Sequence, residues 1–304
     1  MPARKNDYRY LRYMKVSGFS VIKNAVIFGY PVSESIRSVI PLCDEFIVAV
    51  GDSSDGTRQL IESINDPRIK IIDTVWDENL RTGGRVLASE TNKAFNAVAQ
   101  DTDWAFYIQG DEVVHEKYVD NIRGAMLKYL PDQKVDGLLF KYLHFWGSYD
   151  YVGQSSRWYK NEIRVIRNDR NIYSYRDAQG FRKQHNQKLK VKPIEAYIYH
   201  YGWVREPKAM LNKALGVGKY WSEEGYDEKK IRFDENEFDY NEIDALEKFT
   251  GTHPAVMHER IAKMNWKFDY DISRNKIKLK DHFKNIVEKF TGKRPFDYKN
   301  YQII

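Results

Sequence analysis

The stretch Trp104-Ala105-Phe106-Tyr107-Ile108-Gln109-Gly110-Asp111-Glu112 decides the fold. Its first five residues are apolar and favour a β-strand, and the run stops at a glycine followed by two carboxylates. In open α/β sheets the carboxyl ends of the strands face the ligand. The stretch therefore predicts a buried strand that delivers Asp111 and Glu112 to a binding site.

The composition is that of a folded, water-soluble protein. The chain has 304 residues, 42% hydrophobic and 30% charged, with a mean hydropathy of −0.67. These values exclude a disordered chain and allow one large domain with its own core. No apolar run reaches the roughly 18 to 20 residues of a membrane span, and the N-terminus lacks the apolar part of a signal peptide. We therefore expect a cytoplasmic protein with a basic leader over residues 1–14.

Cysteine usage agrees with this expectation. Cys43 is the only cysteine, which excludes a disulfide within the chain. It lies among apolar residues, so we expect it to fill the core.

The net charge of +6 is concentrated in two segments. Residues 148–192 carry eleven Lys and Arg against four Asp and Glu, and residues 271–304 carry nine against four. Such asymmetry indicates surfaces that meet anions, whether phosphates, acidic glycans or anionic lipid. The alternative is an ordinary solvated basic face.

The first half of the chain alternates between strand and helix patterns. Strands are predicted at 16–22, 44–50, 69–72 and 104–108, and helices at 34–40, 58–64, 85–100 and 118–130. This order predicts parallel pairing through right-handed crossovers. Strands at 135–146, 162–166 and 196–203 follow, the second in a region that favours antiparallel pairing.

Polar side chains crowd the loop after the second strand. Asp52, Ser53, Ser54, Asp55 and Gly56 stand at the carboxyl end of a predicted parallel strand, just before a helix. Exposed N–H groups and hydroxyls at such a position suit a nucleotide. An Asx turn with a helix N-cap needs the same residues, so a purely structural role is the alternative.

This loop and the Gln109-Gly110-Asp111-Glu112 segment together resemble family 2 glycosyltransferases of the bacterial cell-surface polysaccharide type. The loop Val50-Gly51-Asp52-Ser53-Ser54-Asp55-Gly56-Thr57 matches the Asp-Gly-Thr end of the family's nucleotide-binding loop, but not its leading acidic pair. The resemblance covers residues 16–202. It implies a GT-A fold, in which a Rossmann-like, mostly parallel twisted sheet carries helices on both faces.

The resemblance also implies a metal site. Gln109-Gly110-Asp111-Glu112 takes the place of the family's Asp-x-Asp motif, whose last acid holds a divalent cation, Mn or Mg, on the donor's diphosphate. Asp111 carries over directly, Gln109 replaces the first acid as a donor contact, and Glu112 assists. A hard cation needs carboxylate oxygens and neutralises charge on a leaving diphosphate. The alternative for Asp111 is a structural strand cap.

Two arginines frame a glycine pair between these loops, in Arg81-Thr82-Gly83-Gly84-Arg85. Guanidinium groups match phosphate oxygens, so Arg81 and Arg85 are candidates for holding the diphosphate. The competing interpretation is a turn with two surface arginines.

The resemblance implies a carboxylate base in the second half, which takes the proton of the attacking hydroxyl. Asp177 lies in a loop between two predicted strands, where the family pattern expects this base, and Glu206 and Glu116 are weaker candidates. Asp177 could instead pair with Arg176 or Arg182.

A histidine ends the aromatic strand Tyr199-His200-Tyr201-Gly202-Trp203. Several GT-A enzymes bring a late histidine to the metal, and a neutral imidazole suits manganese. His200 is thus a third candidate metal ligand, with a hydrogen-bonded core histidine as the alternative.

Aromatic and basic residues are interleaved over 142–160. Such a mixture can stack on sugar faces, although we expect most of the rings to belong to the core. The same mixture can stack on nucleic-acid bases. A protein that binds single-stranded nucleic acid is therefore a competing but less favoured hypothesis. In the C-terminal part, 281–290 has the apolar face of a peripheral membrane helix or of an ordinary surface helix.

Together these features predict a GT-A α/β catalytic domain over 15–206 and a helical C-terminal extension over 207–304. Residues 15–115 would bind the nucleotide-sugar, and 116–206 the acceptor. The predicted reaction is metal-dependent, inverting transfer of a sugar from a nucleoside diphosphate sugar to a saccharide or lipid-linked saccharide. A nucleotidyltransferase acting on sugar phosphates is the alternative enzyme, although no Gly-rich, Lys-containing phosphate loop follows the first strand.

Overall fold

The computed structural model describes residues 14–77, 79–80, 82–218, 220, 233–234, 237–277, 282–284, 287, 290 and 298–304. The predicted leader lies outside these residues apart from Met14, as do Arg81 and half of the predicted helix at 281–290.

The described strands are β1 Val16–Ile22, β2 Glu45–Gly51, β3 Ile69–Thr74, β4 Trp104–Tyr107, β5 Glu112–Val114, β6 Gly137–Trp146, β7 Tyr151–Gly153, β8 Asn161–Arg167, β9 Ile172–Tyr175, β10 Gly180–Lys183, β11 Gln187–Trp203, β12 Phe233–Asp234, β13 Glu237–Phe238, β14 Leu246–Lys248 and β15 Tyr301–Ile303. The described α-helices are α1 Val32–Val39, α2 Thr57–Glu62, α3 Arg85–Asn96, α4 Val119–Tyr129, α5 Pro207–Gly218 and α6 His258–Ala262.

The first four strands form the parallel part of the sheet, in the order β3-β2-β1-β4. Phe19 of β1 stands opposite Ile47 of β2 and Tyr107 of β4. This is the order of the first half of a doubly wound fold, as the alternating strands and helices predict. The predicted strands and helices of residues 16–130 are confirmed, with shifts of a few residues at their ends.

The sheet is mixed beyond β4. The order continues β8-β6-β11-β10-β9, in which β8 is antiparallel to both β4 and β6, while β6 and β11 are parallel. The expectation of parallel pairing therefore holds for the first four strands, and that of antiparallel pairing holds for the strand predicted at 162–166.

Helices cover both faces of the sheet, as predicted. Alternate residues of β2 serve the two sides: Phe46 and Val48 pack with α1, α2 and α4, whereas Ile47 and Ala49 pack with α3. Trp104 to Ile108 are at most 1% exposed. Burial on both faces explains why β4 is continuously apolar, since parallel strands of this kind have no solvent side.

The C-terminal residues differ from the predicted helical extension, which is not confirmed. Helices α5 and α6 are present, but β14 pairs with β7, and β15 adds to the main sheet beside β11. Met210 of α5 packs with Trp146 and Leu246 in a shared core cluster. The boundary at residue 206 stays a prediction. No helix in the described ranges is long and apolar enough to cross a bilayer.

Candidate active site

A cleft of about 750 Å³ opens at the carboxyl ends of β1 and β4. The strand order reverses between these two strands, and such a switch point is where open α/β sheets bind ligands. Lys23 and Asn24 follow β1 and line the cleft, as do Gln109, Gly110 and Asp111 after β4. The opening stretch thus brings Gln109, Gly110 and Asp111 to a cavity, whereas Glu112, predicted to lie there too, does not line it.

Asp111 lies at the centre of a cluster of cationic and imidazole groups. Lys213 Nζ is 3.0 Å and Arg205 Nη2 3.9 Å from its Oδ2, and His200 Nε2 is 3.7 Å from its Oδ1. Burial alone would raise the pKa of Asp111, but Lys213, His200 and Arg205 together hold it well below its usual range. Asp111 is therefore ionised at all physiological pH values.

Lys213 comes from α5, and its ammonium group is buried against Asp111 and the carbonyl oxygen of Gly202, 2.8 Å away. Burial and the neighbouring Arg205 lower its pKa to about 8, against the opposing effect of Asp111. The cluster carries two basic groups for one carboxylate, so this end of the cleft favours a further anion.

The pairing of strands brings His200 to the same place. In β11, His200 is aligned with Glu112 of β5 on one side and with His144 of β6 on the other. His144 Nδ1 and His200 Nδ1 are 3.0 Å apart. Burial lowers the pKa of both rings, so both imidazoles are neutral near pH 7.

Glu112 is turned into the protein. Arg164 donates to both of its oxygens at 2.7 Å, and Tyr142 Oη donates to Oε1 at 2.7 Å. Both charged side chains have no solvent exposure. Because its oxygens are already bound, Glu112 does not join Asp111 and His200, and its predicted role as a metal ligand is corrected to a structural one.

Asp177 lines the same cleft, in the loop between β9 and β10. Its neighbours Arg176 and Ala178 have φ angles of 54° and 59°, in the left-handed region that non-glycine residues rarely adopt. Burial raises the pKa of Asp177. Such strained backbone persists only where surrounding contacts hold it, and it is common at active sites.

The alternative partners of Asp177 are engaged elsewhere. Arg182 donates to the carbonyl oxygen of Asn300 at 2.7 Å and to Tyr298 Oη at 2.9 Å, and the Arg176 guanidinium lies over the Tyr175 ring. Among the described residues Asp177 forms no ion pair. The rival base Glu116 binds His115 and the Ala255 amide outside the cleft, and Glu206 does not line it.

The loop after β2 forms hydrogen bonds to residues that line the cleft. Asp52 binds Lys23 Nζ at 2.6 Å and the Trp76 amide at 3.2 Å, and Ser53 Oγ accepts the Asn24 amide at 3.0 Å. Asp55 accepts the amides of Ile27 at 2.8 Å and Thr57 at 3.1 Å. The lining residues here are Lys23, Asn24 and Trp76, so the predicted residues position the ones that face the cavity.

The remaining predicted residues divide between the cleft and the surface. Gln109 lines the cleft, and its amide nitrogen lies 3.4 Å from both Tyr107 Oη and the Ala178 carbonyl oxygen, which ties β4 to the Asp177 loop. Arg85 begins α3 as an exposed residue and does not line the cleft, and Arg81 lies outside the described residues.

Sequence reasoning missed several residues in and around the cleft. Lys213 and Arg205 reach Asp111 from about a hundred residues away, and no local pattern marks either as a site residue. Lys23 could have been found, because it directly follows the predicted strand β1.

The aromatic segment is mostly core, as expected. Its members with access to the cleft are Trp146, Arg157 and Tyr159, joined by Trp203 from β11. The Trp146 and Trp203 rings are stacked with centroids 5.0 Å apart, and the Arg157 guanidinium lies 5.3 Å from the Trp146 centroid. Such flat rings with an adjacent cation suit a sugar ring.

The described residues contain no group of three or more His, Cys, Asp or Glu side chains that could together hold a metal. The protein groups available to a cation at this site are therefore the pair Asp111 and His200.

Neither a family model nor a protein of curated function matches the chain in sequence. Many solved structures are similar, among them these three. S. aureus TarS 1-349 has 13% identity and a TM-score of 0.39, over 68% of this chain and 65% of that one. Mannosyl-3-phosphoglycerate synthase from Rubrobacter xylanophilus has 18% identity and a TM-score of 0.32, over 47% and 45%.

Glucosyl-3-phosphoglycerate synthase from Mycobacterium tuberculosis, solved with Mn2+, uridine diphosphate and phosphoglyceric acid, has 18% identity and a TM-score of 0.31, over 47% of this chain and 49% of that one. The chain thus spans less than two thirds of each of these proteins. Likenesses of this strength do not establish a family or an activity for the chain.

Proposed function

We propose that the protein is a glycosyltransferase that moves a sugar from a nucleoside diphosphate sugar to a hydroxyl group of a saccharide. One observation carries the proposal: a single cleft at the switch point of the sheet combines a cation-rich end around Asp111 with the Asp177 carboxylate, which forms no ion pair among the described residues and is flanked by two residues with left-handed backbone. The cation-rich end can bind a leaving diphosphate, and the Asp177 carboxylate can act as a general base. The Asp55-Gly56-Thr57 resemblance points to the same reaction.

In this proposal Lys213, which lines the cleft, binds the diphosphate, and the buried Arg205 adds positive charge from behind Asp111. Charge–charge attraction at this little-exposed end of the cleft is stronger than in water. Lys23 and Trp76, held in place by Asp52, line the neighbouring wall for the nucleoside.

The resemblance implies a divalent cation, Mn or Mg, but Lys213 already binds Asp111 Oδ2 at 3.0 Å and the cluster has two basic groups for one carboxylate, so a cation would have to enter together with the anionic donor diphosphate. Asp111 Oδ1 and His200 Nε2, 3.7 Å apart, are the protein atoms that would face it. The neutral imidazole and the ionised carboxylate are the ligand types that Mn2+ accepts. When bound, the cation would neutralise charge on the diphosphate leaving group.

Asp177 acts as the base in this proposal. It accepts the proton of the acceptor hydroxyl while that oxygen bonds to the anomeric carbon and the bond from this carbon to the diphosphate oxygen breaks. The products are an inverted glycoside, a nucleoside diphosphate and protonated Asp177. The raised pKa of Asp177 suits this task, because a base works best when its pKa lies nearer the working pH.

The acceptor would stack on Trp203, which the buried Trp146 ring supports from behind, beside Arg157. We propose a saccharide or lipid-linked saccharide as the acceptor. A cytoplasmic location and a peripheral membrane contact through 271–304 stay predictions, and much of that segment lies outside the described residues.

Thermal unfolding with a panel of nucleoside diphosphates and nucleotide-sugars, with and without Mn2+, tests the donor class. A ligand that binds only the folded chain at 100 times its Kd stabilises it by about 2.7 kcal/mol. We expect one nucleoside to raise the Tm, more so with Mn2+, and Lys213→Met to reduce the shift. Asp169→Asn, in a turn outside the cleft, is the matched control.

A panel without any shift would contradict the proposal. Steeply salt-dependent binding of single-stranded RNA in its place would favour the nucleic-acid-binding hypothesis. Pyrophosphate release from a nucleoside triphosphate would favour the nucleotidyltransferase.

A further inference from the structure

We propose that Glu162 is a positioning residue for the candidate base: it holds the side chain of Gln179 and thereby fixes the loop, residues 176–179, that carries Asp177. The inference rests on the proposed function, because that function makes Asp177 the base. Glu162 is 3% exposed and does not line the cleft. It therefore acts on the reaction only through Gln179, which does line the cleft.

The support that Glu162 offers lies in the middle of the sheet. Glu162 belongs to β8, which is hydrogen-bonded to β4 on one side and to β6 on the other, and it stands opposite Phe140 of β6. A Cβ added to Gly180, the first residue of β10, would lie 3.0 Å from Glu162 Oε2. The Glu162 carboxyl group therefore also packs closely against the residue at which the loop ends.

Gln179 connects this support to Asp177. Its Nε2 donates to Glu162 Oε1 at 3.0 Å, and its carbonyl oxygen accepts a hydrogen bond from Arg164 Nη1 at 2.9 Å. Its backbone N–H donates to the Asp177 carboxylate. Because Gln179 is held at its side chain and at its carbonyl group, it presents a fixed hydrogen-bond donor to the candidate base.

The loop needs such support because its backbone conformation is unfavourable. Arg176 and Ala178, on either side of Asp177, have φ angles of 54° and 59°. Left-handed backbone at residues other than glycine persists only where surrounding contacts hold it. Loss of the Glu162 contact should therefore let the loop relax toward commoner backbone angles and carry the Asp177 carboxylate with it.

The charge of Glu162 is compatible with this role. Burial raises its pKa to about 8, with Asp177 and Glu112 adding to the effect and Arg164 opposing it. At neutral pH Glu162 is therefore mostly the uncharged acid. It can accept a hydrogen bond in this form without placing a second negative charge near Asp177.

The placement of Asp177 can be measured without any substrate, through its own titration. Burial raises the pKa of Asp177, while the Gln179 N–H and the charges of Arg176 and Arg164 oppose this effect. A carboxylate that leaves this environment for solvent should return toward the lower pKa of an ordinary aspartate. We would titrate the carboxyl carbons of the full chain labelled with 13C-aspartate by NMR, with Asp177→Asn to assign the signal.

Two substitutions of Glu162 separate the hydrogen bond from the size of the side chain. Glu162→Gln keeps an acceptor for Gln179, so we expect the Asp177 titration midpoint of the wild type. Glu162→Met has a similar length but no carboxyl group, so we expect the midpoint to move to lower pH. A folded Glu162→Met with the wild-type midpoint would overturn the inference.

Gln179→Met tests the same contact from its less buried end, and gives an answer if Glu162→Met does not fold. We expect the Asp177 midpoint to shift as in Glu162→Met. The double variant should show no further shift, because both substitutions remove one and the same hydrogen bond. A wild-type midpoint in Gln179→Met would count against the role of Glu162 as directly as one in Glu162→Met.

The rate of sugar transfer from the nucleotide-sugar that raises the Tm gives the second measurement. We expect kcat to fall roughly 10- to 100-fold in Glu162→Met, because small displacements of catalytic groups are costly. The affinity for the nucleoside diphosphate should be unchanged, since Glu162 does not line the cleft. Glu162→Gln should transfer sugar at the wild-type rate.

Glu45→Met is the matched control for loss of a buried acid. Glu45 is 5% exposed, accepts a hydrogen bond from Ser17 Oγ at 2.7 Å, and begins β2 at the end of the strands away from the cleft. This variant should lose stability but keep the wild-type Asp177 midpoint and kcat. Equal losses of kcat in Glu45→Met and Glu162→Met would show that general destabilisation is the cause, and would overturn the inference.

The outcomes distinguish the inference from the proposed function. An Asp177 midpoint that changes in neither Glu162→Met nor Gln179→Met contradicts the inference and leaves the glycosyltransferase proposal standing. A wild type that transfers no sugar, but whose Asp177 midpoint shifts in both variants, contradicts the proposed function and still shows that Glu162 holds the Asp177 carboxylate in place.

Discussion

At the scale of single residues, Asp177 is notable because its backbone is strained on both sides while its carboxylate has no charged partner among the described residues. As the base, Asp177 must be deprotonated, so activity should be lost as the pH falls through its pKa. Because burial raises that pKa, the loss should occur at higher pH than for a free aspartate.

The substitution Asp177→Asn tests this assignment. We expect a fall in the rate of transfer of roughly 100- to 10,000-fold, the usual contribution of a general base, with donor binding retained. The pH–rate profile of the remaining activity should lack the acid limb of the wild type. Wild-type transfer by Asp177→Asn would exclude Asp177 as the base.

Glu162 is a second residue whose environment has a measurable effect. Burial raises its pKa to about 8, with Asp177 and Glu112 adding to the effect and Arg164 opposing it. Between pH 5 and pH 8 the folded chain keeps this proton while the unfolded chain loses it, so stability should fall as the pH rises.

Glu162→Gln removes this titration and keeps an acceptor for the Gln179 amide, which lies 3.0 Å from Glu162 Oε1. The difference in the free energy of unfolding, variant minus wild type, should be more positive at pH 8 than at pH 5 by on the order of 3 kcal/mol. Urea unfolding at the two pH values measures the difference, and parallel pH dependence in both proteins would contradict it.

At the scale of elements, the buried pair of Glu112 and Arg164 connects the two sides of the cleft. Glu112 begins β5, directly after Asp111, and Arg164 of β8 also donates to the carbonyl oxygen of Gln179 in the Asp177 loop at 2.9 Å. The pair therefore ties the start of β5 and the end of the Asp177 loop to the middle of β8.

Breaking this pair should cost stability and leave the metal site intact. Removing one partner of a buried ion pair costs about 3 to 5 kcal/mol, so we expect Glu112→Gln to lower the free energy of unfolding by this amount. Mn2+ affinity should be unchanged in the folded fraction. Glu116→Gln, at a position 57% exposed, is the control and should change stability by less than about 1 kcal/mol. A Glu112→Gln variant that keeps its stability and loses Mn2+ would restore Glu112 as a ligand.

The glycine pair before α3 packs against the Asp177 loop. Gly83 and Gly84 have φ angles of 63° and 71°, which an alanine adopts at a cost of roughly 1 to 2 kcal/mol. A Cβ at Gly84 would lie 2.8 Å from Asp177 Cβ, whereas a Cβ at Gly83 would meet nothing within 4 Å.

This difference separates backbone strain from displacement of Asp177. Both alanine variants should lose similar stability from φ alone, but only Gly84→Ala should move Asp177. We expect Gly84→Ala to lower kcat by roughly 10- to 100-fold relative to Gly83→Ala, because small displacements of catalytic groups are costly. Equal kcat in the two variants would show that the contact does not position Asp177.

At the scale of the whole molecule, the parallel half could be predicted because each of its strands and helices has a local pattern. The apolar run of β4 and the polar residues that end it were sufficient to predict that Asp111 lies at the carboxyl end of a buried strand, where it lines the cleft. The mixed half of the sheet was harder to predict from the sequence, since the pairing of β15 with β11 depends on contacts between distant residues.

The site shows the same division. Asp111, Gln109, Asp177 and His200 could be selected from strand ends and loops, and all four line the cleft. Lys213 could not, because its contact with Asp111 joins residues 102 positions apart on a helix without a motif. Glu112 was misassigned because adjacent residues of a chain can face opposite ways, and its partner Arg164 lies 52 positions away.

Sugar transfer can be followed as the rate at which nucleoside diphosphate is released from the nucleotide-sugar that binds, with Mn2+ and a saccharide acceptor present. We predict release with stoichiometric sugar transfer by the wild type, and a fall of roughly 100-fold or more in Asp111→Asn. Release at the wild-type rate by Asp111→Asn, or no release from any nucleotide-sugar by the wild type, would contradict the account.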